Sequence, residues 1–192
     1  MRHLATTAAA AAFLALAACG SEPEEEAPQD AAPAEEVAAD TVRLNAEGLA
    51  VGDEAFLFNA GRSEVESALT RLLGEPARSA TNRQCDAGPV DFVDYEGGLT
   101  VHFADGALVG WNWHLPYEGD APLNEDVTVA GDVRLGQSRA EVEQREGYER
   151  IEDSTLGEEF RFGEVGGFIE ADEVATLFAG TQCFLRGEEA AA

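Results

Sequence analysis

Two stretches of strict alternation constrain this chain more than any other feature: Leu99, Val101 and Phe103 against Thr100 and His102, then Val109, Trp111, Trp113 and Leu115 against Gly110, Asn112 and His114. A period of two places the apolar set on one face of a pleated strand and the polar set on the other. The sequence therefore predicts an antiparallel sheet with a single face turned to a core. Between the runs, Ala104-Asp105-Gly106 suits a three-residue hairpin loop with Gly106 at positive φ. That loop sets Val101 opposite Val109, Leu99 opposite Trp111, His102 opposite Leu108 and His114 opposite Glu96, keeping both apolar sets on one side. The tryptophans read as core. Thr100, His102, Asn112 and His114 then form a polar outer face, the candidate surface for a partner.

Helical signals precede these strands. Gly61-Arg62-Ser63 and Gly136-Gln137-Ser138 each open a Ser-x-x-Glu pattern, Ser63 with Glu66 and Ser138 with Glu141, which reads as a capping box. After the first, Val65, Ala68, Leu69, Leu72 and Leu73 share one helical face, and Gly74 with Pro76 ends the helix. The second helix is shorter and less apolar. Strand-like runs follow each: 90–95, 99–103 and 107–115 in the first half, then "EEFRFGEV", "FIEADE" and "VATLFAGTQCFL" in the second, with Gly166-Gly167 echoing Gly97-Gly98. The expected fold class is α+β, two tandem units of one helix packed on a three- to four-stranded antiparallel sheet. The units span 48–116 and 133–187, joined by an acidic linker at 117–132 and followed by a disordered tail at 188–192.

This order of elements, with its Gly-x-Ser helix starts, resembles the tandem helix-plus-sheet repeats of the β-lactamase-inhibitor protein family. It is similar also to the small outer-membrane lipoproteins of the β-barrel assembly accessory type. The resemblance covers about residues 49 to 186 and implies protein binding without a cofactor. The inhibitor family closes disulfides within repeats, whereas here each half carries one cysteine, and no inhibitory residue can be carried over.

At the N-terminus, Met1-Arg2-His3 is a short basic segment, Leu4 to Ala18 is apolar and rich in alanine, and Leu16-Ala17-Ala18-Cys19 closes it with small residues. Residues 1–18 read as a signal peptide, too short and too weakly apolar to be a stable membrane span. The four closing residues resemble the lipobox of bacterial lipoproteins. That resemblance implies cleavage before Cys19 and a diacylglycerol thioether on it. With Gly20 in place of the family's inner-membrane retention aspartate, it also implies the periplasmic side of the outer membrane. The plain alternative is a secreted protein with Cys19 free. Residues 19–47 then carry the lipid and an acidic, Ala- and Pro-rich tether too poor in apolar surface to order itself.

Charge and cysteine count narrow the chemistry. Thirty-eight acidic residues against twelve arginines give a net charge of -26, which opposes binding to a nucleic-acid backbone. The chain has no lysine, so no phosphate-binding G-x-x-x-x-G-K-[ST] loop is possible. In an oxidising periplasm Cys85 and Cys183 read naturally as an inter-unit disulfide; two buried free thiols, or one reactive thiol, are the alternatives. His102 and His114 have no zinc-site setting, read as ordinary solvated side chains, and no nucleophile motif accompanies them, so neither a metal, a cofactor nor a catalytic residue is assigned. The expected function is that of a membrane-anchored, non-catalytic module for a protein partner or envelope support. The alternatives are a hydrolase-like enzyme using the polar sheet face and weak divalent-cation binding by the tether. Lipidation has a direct test. Palmitate labelling is expected for the native chain and lost on Cys19→Ala; labelling that survives the substitution refutes the lipobox reading.

Overall fold

The alternating runs are strands, and all of them enter one large sheet. A computed structural model describes residues 40–131 and 133–184. The signal segment, Cys19, most of the tether and the tail at 188–192 lie outside the described residues. The strands are β1 (Val42–Asn45), β2 (Gly48–Val51), β3 (Glu54–Leu57), β4 (Arg78–Asn82), β5 (Val90–Asp94), β6 (Leu99–Ala104), β7 (Ala107–His114) and β8 (Val127–Val129). The series continues with β9 (Tyr148–Ile151), β10 (Glu158–Phe162), β11 (Val165–Glu170) and β12 (Glu173–Gly180), and the helices are α1 (Arg62–Leu73) and α2 (Arg139–Val142). One sheet has eight strands in the order β4-β5-β6-β7-β12-β11-β10-β9, and a second has four in the order β3-β2-β1-β8.

This is a mostly β architecture, and it overturns the expected pair of helix-on-sheet units together with the family resemblance drawn from it. The physical reason lies at β7 and β12. Each is the last strand of a four-stranded meander, and they pair with each other, Trp113 opposite Leu177 and Ala179 opposite Trp111. Two meanders thus merge into one antiparallel sheet with one contiguous core. The small sheet and α1 cover its inner face, where Trp111 Nε1 donates to the Asn45 carbonyl at 2.9 Å. The second helix has only four residues, so its one buried side chain, Val142, covers little. The proposed boundaries move as well. β1 lies in the segment assigned to the tether and β8 in the segment assigned to the linker, and they pair in parallel, Val42 with Val127 and Leu44 with Val129. Strands of three or four residues among acidic neighbours carry too short an alternation to register in the sequence.

The hairpin register also differs from expectation. Asp105 (φ 52°) and Gly106 (φ 78°) make a two-residue turn with both central residues left-handed, a hairpin geometry that matches the strand twist. The ladder runs Phe103 to Leu108 and then His102 to Gly110, so Val109 is bulged out and Leu108 faces the core instead. Downstream of the bulge, Val101 meets Trp111 and Leu99 meets Trp113. The β11–β12 hairpin does the same: Ala171 (φ 48°) and Asp172 (φ 68°) form the turn, and Ala175 is bulged between Ile169–Val174 and Phe168–Thr176. Both tryptophans are buried. The glycine pairs are not equivalent. Gly97-Gly98 occupies the β5–β6 turn, whereas Gly166 and Gly167 sit inside β11, where the rings of Phe178 and Phe160 fill the space a Cβ would need.

Each helix start is pinned to the turn of a hairpin. The Leu108 amide donates to Ala60 O and the Arg62 amide to Gly106 O; in the second half Val174 donates to Gln137 O and Arg139 to Asp172 O. The first contact fixes the start of α1 at Arg62, with Gly61 as N-cap, so the expected Ser63 cap is not the one used. In the second half Ser138 is the N-cap, and the Glu141 carboxylate accepts from its amide and its hydroxyl. Arg62 then pairs with Asp91, and Arg139 with Glu158, in the same relation to their strands.

Cys85 and Cys183 form a disulfide, with Cα atoms 5.0 Å apart. It joins the β4–β5 connection to the segment after β12. Removing it by Cys85→Ser with Cys183→Ser is expected to lower the unfolding free energy by about 2–5 kcal/mol, the usual cost of losing a long-loop cross-link. Urea unfolding of the two chains measures this, and matching midpoints would contradict it.

Candidate functional site: a groove on the outer face of the large sheet

The outer face carries every second residue of the large sheet. Opposite the core, Thr100 on β6 stands directly across from Asn112 on β7, and His114 on β7 across from Thr176 on β12. The three named as a candidate face converge here: Thr100, Asn112 and His114 all line one lobe of a groove of about 410 Å³. A second lobe of about 540 Å³ shares Arg78, Asp94, Thr100, His114 and Tyr117 with it. The groove therefore runs along β4 and ends between the β5–β6 turn and the loop after β7.

The side chains within it are ordered by a short chain of contacts. The Thr100 hydroxyl donates to Asp94 at 2.8 Å, and the Arg78 guanidinium donates to the other oxygen of the same carboxylate at 2.7 Å. One His114 nitrogen, Nδ1, is hydrogen-bonded to the neighbouring Leu115 carbonyl, and its ring packs on Tyr117 at 5.0 Å between centroids. Tyr117 is 72% exposed and forms an open aromatic wall. The floor carries one unmet acceptor, Asn112 Oδ1, which is buried and without a hydrogen-bond partner. Such a set recognises by hydrogen bonding, charge and aromatic contact. The one hydroxyl on the floor is spent on a carboxylate that a guanidinium already holds, which is poor placement for a nucleophile and its base. Among the described residues, no three His, Cys, Asp or Glu side chains gather in a way that could hold a metal ion.

The fourth candidate, His102, does not join the groove. It is wholly buried, where a solvated side chain was expected. The segment 181–184 lies against this part of the outer face: Thr181 N donates to Val109 O, Gln182 Nε2 donates to Trp111 O and Ala179 O, and the Phe184 ring packs on Phe168 and Phe178. The Thr181 carbonyl accepts from His102 Nδ1 at 2.8 Å, which makes the neutral ring a Nδ1–H tautomer and leaves Nε2 buried without a partner. Burial pushes the imidazole down to about 4, against the opposing pull of the Thr181 carbonyl and the Asp94 charge.

Arg78, Asp94 and Tyr117 escaped the sequence reading. β4, "RSATN", has no apolar alternation to mark it as a strand, and Tyr117 stood in what read as linker. An exposed aromatic next to Pro116 and ahead of Gly119 was the one available signal. No protein-family model matches the chain, and no curated protein matches it. Among solved structures it is similar to a cysteine-rich secretory protein from Staphylococcus aureus, with 11% sequence identity and a TM-score of 0.38. That match covers 78% of this chain and 56% of the other, so the chain spans little more than half of that protein's length.

The histidine yields a pH prediction. An unfolded His102 takes up its proton near 6.5 and the folded one only near 4, so the unfolded state binds more protons between these values. Stability therefore falls as pH drops through that window, by on the order of 3 kcal/mol from this group. Unfolding free energies from pH 7 to pH 4 should fall more steeply in the native chain than in His102→Gln; equal slopes would contradict the buried neutral histidine.

Proposed function

We propose that this protein is a lipid-anchored, non-catalytic binding module on the periplasmic side of the bacterial outer membrane, and that it takes a protein partner in the groove on the outer face of its large sheet. One observation carries the reading: the groove beside β4, with a hydrogen-bonding floor at Thr100, Asn112 and His114 and an exposed aromatic wall at Tyr117. An exposed tyrosine beside ordered polar groups is the composition of a recognition surface, since the ring supplies contact area with little side-chain entropy to lose. The lipobox-like Leu16-Ala17-Ala18-Cys19 and the acidic stretch behind it support the anchor and its spacer. A -26 net charge adds long-range repulsion from an anionic surface, which favours a domain held away from the bilayer.

The test is site-directed photo-crosslinking of the full chain in its native envelope, with p-benzoylphenylalanine at the position of Tyr117 and, as control, of Arg161 on the far half of the same face. A discrete adduct with one envelope protein is expected from position 117 and not from 161. Recovery of the same abundant proteins from both positions would refute the groove as the binding surface.

A further inference from the structure

We infer that the occupant of the groove is an extended peptide segment of the partner protein that carries a lysine or arginine and lines up along β4. This rests on the groove reading above and names the chemistry of its ligand. β4 is the edge of the eight-stranded sheet and pairs on one side only, with β5. Residues 78–81 are exposed, and among the described residues Ser79 to Asn82 make no backbone hydrogen bond outside that one ladder. An open edge of this kind accepts an added strand through main-chain hydrogen bonds, and side-chain pockets beside it supply selectivity. Ala80, between Arg78 and Asn82 on the outer face, leaves the groove shallow where such a segment would lie.

The groove's own chemistry sets the sign of the ligand. Its guanidinium, Arg78, is matched by Asp94. Glu96 and Asp120, on the rim of the same lobe, have no ion-pair partner among the described residues. The exposed wall, Tyr117, offers a π face. Two carboxylates and an aromatic face are complementary to a cationic group, and neither suits an anion. The charge of the whole chain, -26, adds long-range attraction for a basic partner that salt screens.

Amide-resolved NMR titration of the full chain tests this with two probes, acetyl-Val-Lys-Thr-Lys-Val-amide and its Val-Glu-Thr-Glu-Val counterpart. The basic peptide is expected to shift the amides of Ser79 to Asn82 and of Tyr117, and the acidic one is not. The double variant Glu96→Gln with Asp120→Asn should weaken the basic peptide by about tenfold, the scale of losing favourable contacts to charged groups. An unchanged spectrum away from the groove shows that this variant stays folded, since both side chains are at the surface. Equal binding of both peptides, shifts that miss β4, or binding of neither overturns the inference. The groove reading falls separately: a crosslink from position 117 to a partner segment without lysine or arginine refutes the cationic ligand while leaving the groove in place.

Discussion

Every feature of the molecule depends on the pairing of β7 with β12. The two meanders each end in a long strand, and five residue pairs from Thr176–His114 to Gly180–Gly110 join them edge to edge. This pairing satisfies the backbone of both strands and removes two sheet edges that would otherwise stand open. It also aligns the inner faces, so Trp111, Trp113, Leu177 and Ala179 belong to one core rather than to two small ones. A single core is the more stable outcome, because a small unit buries too little of its surface to hold itself together. The edges that remain in the large sheet are β4 and β9, and β4 borders the groove.

The same joint sets the two ends of the outer face apart. At the seam, the chain leaves β12 and turns back over the sheet, held by the Cys85–Cys183 disulfide, by Gln182 and by the Phe184 ring. Beneath it, His102 gives its one proton to Thr181 and is kept neutral by burial. Away from it, toward β4, no segment of the described chain crosses Thr100, Asn112 and His114, and the groove is left open. Four side chains that share one face by alternation therefore serve in two ways, one as packing and three as the lining of the groove.

How much of this was legible follows from what periodicity can report. Alternation over five or more residues marked β6 and β7, and the apolar stripe of Val65, Ala68 and Leu69 marked α1. It could not mark β1, β4 or β8, which are short, or exposed along most of their length. The register failed for a different reason. A bulge at Val109 shifts the ladder by one residue, and alternation before and after it looks continuous in sequence. Of the candidate face, Thr100, Asn112 and His114 line one groove and His102 is buried. Their partners Arg78 and Asp94 come from neighbouring strands, whose adjacency is a property of the sheet.

The sequence alone determined that the chain builds antiparallel sheet with tryptophans in its core, that a helix with an apolar stripe precedes the first meander, and that the chain carries a large net negative charge. These follow from local pattern and composition, which act within a few residues or through the net field. Tertiary structure decided that the halves share one sheet, that Cys85 meets Cys183, that His102 is covered, and that Arg78, Asp94 and Tyr117 join the groove. Each of these depends on which strand edges and faces meet, and that choice is made by burial summed over the whole core, which no short stretch of the chain encodes.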